Sequence, residues 1–137
     1  LLRESPAVHA ADIYITEIDK ARLRSLVEVE RGSEIFELEH EIERAIVVDP
    51  WNVAEDVVTM NSKALLQVDD EELEVALVYP EDADDRAGKL SVCSGIGTAI
   101  LGYKAGDAFS WRIPDRTCHI RIEKVLYQPE AAGDFHL

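Results

Sequence analysis

The chain has 137 residues, 47% of them hydrophobic, which is enough apolar material for one ordinary core and excludes a largely disordered polypeptide. Its 28 acidic residues outnumber 14 scattered basic ones, for a net charge of −14, so direct nucleic-acid binding by phosphate neutralisation is not expected. No apolar run approaches the roughly 20 residues that span a bilayer, and the stretch Leu1 to Ala11 lacks the basic region and long apolar stretch of a secretory signal.

The first half reads as two short helices. Thr16-Glu17-Ile18-Asp19 has the form of a capping box, with Thr16 as N-cap and Asp19 three residues on. Ile18, Leu23, Leu26 and Val27 supply a partial apolar face. The chain restarts at Gly32-Ser33, with Ser33 as N-cap of a second helix favoured by Glu34 and Glu37 near its N-terminus. Ile35, Leu38, Ile42 and Ala45/Ile46 recur at steps of three and four, the clearest helical stripe in the sequence. A short connection between two single-striped helices predicts an antiparallel hairpin, about 20 Å long at 1.5 Å per residue. Asp49-Pro50-Trp51-Asn52 then reads as a hinge, dividing the chain into residues 1–50 and 51–137.

Beyond the hinge the period changes from helical to alternating. Val57, Thr59 and Met60 lead into an Asn61-Ser62 turn, followed by a strand through Ala64, Leu66 and Val68. Asp69-Asp70-Glu71-Glu72 is too acidic to bury and predicts a turn before a strand with Leu73, Val75, Leu77 and Tyr79 on one face. Pro80 to Gly88 reads as an acidic loop, and Leu90 and Val92 begin the next strand. Ser94 to Leu101 predicts a turn opening a buried helix, closed by Gly102, and Gly106-Asp107 turns the chain again. Phe109, Trp111 and Ile113 alternate in one strand and Cys118, Ile120 and Ile122 in the last. There the apolar phase slips by one to Val125 and Tyr127, which requires a β-bulge near Glu123-Lys124. The sum is an α+β fold, a helical hairpin followed by an antiparallel sheet curled around one helix.

Motifs for chemistry are sparse. Glu37 and His40 have Glu-x-x-His spacing, but the partner ligands of a di-metal bundle are missing, so Glu37-Glu39-His40-Glu41 reads as a solvated acidic face. Gly95-Ile96-Gly97 lacks the third glycine of a dinucleotide turn and a following Lys-Ser/Thr, and reads as flexible backbone at a partner-facing turn. Ser94 and His119 lack a nucleophile-elbow context, and His9 and His136 fall in the tails. Cys93 and Cys118 match no zinc spacing and suit a reduced cytoplasmic setting as small hydrophobes in strands. No cofactor or metal site is expected.

Four stretches in matching order resemble the Rnk family, regulators of nucleoside diphosphate kinase related to the Gre transcription factors. They are Asp56 to Ser62, Leu77 to Pro80, Leu90 to Asp107 and Tyr127 to Asp134. The resemblance implies that residues 51–137 form an FKBP-like domain docking at the rim of the RNA polymerase secondary channel, through Cys93, Ser94, Gly95, Ile96 and Gly97. The Gre pattern has a proline where this chain carries Gly95. It also implies a coiled-coil hairpin whose acidic tip, Glu28, Glu30 and Glu34, faces the channel mouth, a basic surface being the fitting partner for so acidic a protein. A hairpin this short would not reach the polymerase active site, so the expected function is polymerase binding in competition with Gre factors, without transcript cleavage and without enzymatic activity. Two other expectations stand beside it: direct regulation of nucleoside diphosphate kinase, and prolyl isomerisation, for which the aromatics Tyr79, Tyr103, Phe109, Trp111 and Tyr127 mostly fall in the predicted core.

Overall fold

The computed structural model describes residues 12–29, 33–113 and 116–134. A three-residue strand, β1 (Tyr14–Thr16), runs directly into helix α1 (Glu17–Val29). Thr16 caps the helix as expected, its Oγ1 accepting the Asp19 N–H at 3.0 Å. The reciprocal half of the capping box is absent. The Asp19 carboxylate turns away from the helix and accepts the Met60 N–H at 3.1 Å. Leu23 is buried and Leu26 and Val27 partly so, whereas Ile18, expected on the same face, is exposed.

Helix α2 (Ser33–Arg44) buries Ile35, Leu38 and Ile42, the predicted stripe, and packs against α1. The end of the stripe behaves differently. The helix stops at Arg44, and Ile46–Val48 forms strand β2, paired parallel to β1 with Ile46 opposite Tyr14. Consecutive β-branched residues favour this extended state, and the Ile46 N–H donates to the Ile13 carbonyl at 2.8 Å. A 3₁₀ turn, Pro50–Asn52, occupies the predicted hinge.

Five strands make the main sheet: β3 (Lys63–Val68), β4 (Glu71–Val78), β5 (Lys89–Ser91), β6 (Ala108–Ile113) and β7 (Arg116–Tyr127), in the order β5-β4-β3-β7-β6. It is antiparallel except at one edge, where β5 runs parallel to β4 because the connection through Tyr79 to Gly88 carries the chain back over the sheet in two 3₁₀ turns. The predicted four-residue acidic turn shrinks to Asp69 and Asp70, with Asp69 at φ +53°. Glu71 and Glu72 join β4 with their side chains in solvent. Val57 to Met60 is buried without being a strand, and pairs with the chain after α3 through an isolated Val57–Lys104 bridge and hydrogen bonds joining Val58 to Gly102 and Tyr103. The bulge is where the phase slip puts it: β7 skips Glu123 opposite β3, and skips Leu126 as well.

Helix α3 (Gly95–Ile100) contacts both edge strands, β5 and β6, so the sheet curls around it. Ala99, Ile100, Leu101 and Trp111 are buried at the centre. One apolar cluster runs from Leu23, Leu38 and Ile42 of the paired helices through Ile100 to Leu66 and Ile120 of the sheet. Helix α4 (Pro129–Ala132) ends the described chain. No helix among the described residues is long and apolar enough to cross a membrane.

Candidate functional site

The turn between β5 and α3 is built almost entirely from serine. The Ser91 Oγ accepts the Cys93 N–H at 3.0 Å, and its carbonyl accepts both the Ser94 N–H at 3.0 Å and the Ser94 hydroxyl at 2.7 Å. Ser94 is also the N-cap of α3, taking the Gly97 N–H at 3.0 Å. Thr98 donates its hydroxyl to the Val92 carbonyl at 2.6 Å. Every one of these bonds is local, so the turn is held by its own side chains.

The five predicted docking residues are contiguous here, but they divide in two. Gly95 is exposed, with Cys93, Ser94 and Ile96 half-buried around it. Gly97 is buried, and a Cβ built on it would lie 2.0 Å from the Ser91 carbonyl oxygen. Its role is close packing of helix on turn rather than the flexibility expected of it. Cys93 lies in the turn, not in a strand, whereas Cys118 is a buried strand residue as expected.

At the tip of the paired helices Glu28 is exposed at the end of α1. Glu30 and the Glu34 side chain lie outside the described residues. Sequence reading missed two apolar neighbours of these acids, Val29 and Phe36, which are 76% and 72% exposed. Phe36 follows Ile35 of the stripe by one residue, so helical geometry turns it outward, a signal present in the periodicity.

The root of the helices holds two buried polar ties. In the first, burial pushes the Asp19 carboxyl up to about 7, with the charge of Glu130 adding to the effect and the Met60 N–H and Arg22 opposing it. Next to Met60, Thr59 donates its hydroxyl to Glu130 Oε1 at 2.6 Å. In the second, Arg44 donates from Nη2 to the Tyr103 hydroxyl at 2.7 Å and from Nε to Glu41 Oε1 at 3.1 Å. Tyr103 in turn stacks on Phe109, ring centroids 4.3 Å apart. Glu41 is completely buried, not part of a solvated face, and burial raises its carboxyl above the usual range against the pull of Arg44. Glu39 and His40 do face solvent, and Glu37 is half-buried.

The last of the four family-like stretches folds back on the first. The Tyr127 hydroxyl donates to Asp134, and Gln128 Nε2 donates to the carbonyls of Ala54 and Val57 at 2.7 and 2.8 Å. Together with the Thr59–Glu130 bond these join the stretches 56–62 and 127–134 in space. His119 pairs its Nδ1 with Ser110 Oγ at 3.1 Å, while Ser94 is occupied in its cap, so the two are not a catalytic couple. Among the described residues no group of three or more His, Cys, Asp or Glu side chains is placed to hold a metal ion.

The Rnk N-terminus family matches residues 12–48, covering the paired helices and their two small strands. The family described as transcription elongation factor, GreA/GreB, C-term, matches residues 53–127. Over 131 residues the chain is 37% identical to the regulator of nucleoside diphosphate kinase of Escherichia coli strain K12, spanning 91% of this chain and 96% of that one. The chain belongs to the Rnk family. Its kinship with Gre factors is equally plain. It is 31% identical over 96 residues to transcription elongation factor GreA of Thermodesulfovibrio yellowstonii, covering 69% of this chain and 61% of that protein. A solved structure of a GreA/GreB elongation factor from Nitrosomonas europaea superimposes with a TM-score of 0.71 at 37% identity, over 86% of this chain and all of the other. These relatives are regulators and transcription factors, and the fold of this Rnk-family chain is theirs: two helices followed by a mostly sheet domain.

Proposed function

We propose that this protein is a non-enzymatic, cytoplasmic RNA polymerase-binding regulator that docks at the rim of the secondary channel through Cys93, Ser94, Gly95, Ile96 and Gly97. Residues 51–137 act as the docking domain and residues 1–50 present the acidic tip to the channel mouth. The observation that carries this is the turn itself: a segment inside the matched Gre C-terminal region, braced by Ser91 and Ser94 and offering exposed backbone at Gly95. A turn already held in one conformation loses little entropy on binding. The short helices supply the functional distinction. At 13 and 12 residues, α1 and α2 extend only about 20 Å. Carboxylates on so short a hairpin stop short of a catalytic Mg²⁺, whose octahedral shell demands ligands at about 2.1 Å.

The protein therefore displaces GreA from core polymerase without stimulating cleavage of backtracked RNA. A competition pull-down at moderate salt, paired with a transcript-cleavage assay, tests both halves. No recovery with core polymerase would sink the docking. Cleavage abolished by changing Glu28, Glu30 and Glu34 together to Ala would sink the reach limit. The name shared by the Escherichia coli relative favours a second reading, direct binding to nucleoside diphosphate kinase. Co-purification with the kinase but not with polymerase decides for it.

A further inference from the structure

Between α1 and the 3₁₀ turn Pro80–Asp82 lies an open cleft of about 550 Å³, apart from the β5–α3 turn and reaching Val29 beside the tip. Its apolar lining comes from Leu26 and Val29 on one wall and Tyr79 and Pro80 on the other. Leu26 and Val29, three residues apart, share a helical face with Arg22, so the wall is a continuous stripe. Val29 is 76% exposed, an unusual degree for a valine beside other apolar side chains. The rim is acidic. Glu81 and Asp82 line the cleft and are exposed, and the next turn carries exposed Asp84, Asp85 and Arg86. The lining also holds one cation, Arg22, which is exposed and lies on the α1 wall beside Leu26. Acids outnumber bases in the lining, Glu81 and Asp82 against Arg22.

An apolar floor with a predominantly acidic rim fits an occupant of opposite charge that carries its own apolar anchors. We propose that this cleft captures a basic amphipathic segment of a protein partner, seating Leu-type side chains on Leu26, Val29, Tyr79 and Pro80 and placing Lys or Arg against Glu81 and Asp82. A strongly hydrated polyanion or an acidic peptide is repelled by the same rim. The site is independent of the Gly95 turn, so loss of polymerase docking would leave it intact.

A fluorescein-labelled peptide of three Leu-Lys-Arg-Leu repeats, titrated with the full chain at 0.15 M salt, reads this directly by fluorescence anisotropy. Replacing Glu81 and Asp82 together by Lys should weaken binding about ten-fold, and Val29→Ser about three-fold. Replacing Glu71 and Glu72 by Lys makes the same change in net charge on β4, away from the cleft, and should cost less than about two-fold. On the unmodified protein, amide shifts in a ¹⁵N spectrum should concentrate at residues 22–29 and 79–82 upon peptide addition. Equal weakening by the β4 pair, or shifts spread over the acidic surface or centred elsewhere, would overturn the proposal.

Discussion

The two ends of the paired helices are opposites. At the root, Asp19 reaches Met60 and Arg44 reaches Tyr103, so each helix is bonded through a polar side chain to the sheet half of the chain. At the other end the side chains that stand out are exposed, Val29 and Phe36 among acids. Buried polar bonds tolerate little error in geometry, whereas an apolar contact alone allows sliding. The root thus fixes where the helices point, and the tip is left for whatever lies outside the molecule. The β5–α3 turn repeats the contrast at smaller scale, with Gly97 locked inside and Gly95 presented.

The largest break in this comparison is Arg44→Ala. It strands Glu41, completely buried, without its cation, and should cost about 3 kcal/mol in urea unfolding. Replacing the pair together by Met and Leu should recover most of that loss, since neither charge is then left unpaired.

Asp19 gives the pH signature of the root. Its folded-state carboxyl titrates near 7, above the ordinary carboxylate value it has when unfolded, so between about pH 4 and 7 the folded protein binds the additional proton. Stability contributed at this site is therefore greatest near pH 4, falls as pH rises through that window, and is flat above it. The loss amounts to roughly 2–4 kcal/mol, a tenfold change in proton affinity being worth about 1.4 kcal/mol. Asp19→Asn keeps an acceptor for Met60 and should flatten the slope of stability against pH. An unchanged slope in the Asp19→Asn variant would show that the charge is not felt at the root.

How much of this contrast was legible beforehand depends on distance along the chain. Thr16 as a cap, the Ile35-Leu38-Ile42 stripe and the slip in β7 all follow from residues within a few positions of one another, and all are present. The five residues proposed to dock are likewise contiguous in sequence and lie together in the β5–α3 turn. Most of what escaped was non-local. Asp19 fits a capping box until Met60, 41 residues away, offers a buried N–H. Glu41 fits a solvated face until Arg44 and Tyr103 close over it. Strands of three residues, β1 and β2, are too short to show a period at all.

The turn supplies two smaller effects. Gly97→Ala forces a methyl into the Ser91 carbonyl and should lower stability by about 2 kcal/mol, reducing polymerase capture in proportion. Gly95→Pro should do the reverse. Gly95 is the first residue of α3, where the missing N–H is harmless, and Ser94 already has φ −74°, ψ 161°, the extended state a following proline requires. A gain of about 0.4–1 kcal/mol in thermal unfolding, with docking kept or tightened, is expected. A lower Tm would mean that the turn needs the freedom of glycine after all.

The middle strand of the sheet carries a consequence for the order in which the molecule comes into being. β3 is flanked by β4, its neighbour in the chain, and by β7, whose Tyr127 lies opposite Lys63 despite its distance along the chain. The segment before β3 waits on the same late arrivals, since Ala54 and Val57 are held by Gln128 and Thr59 by Glu130. On a ribosome, then, the nascent helices can emerge early but have nothing finished to anchor to. Until β7 has been made, the seat for Asp19 is incomplete, and a chain cut short near residue 120 would leave apolar β3 with one bare edge. The first half of the fold is thus completed by residues of the second.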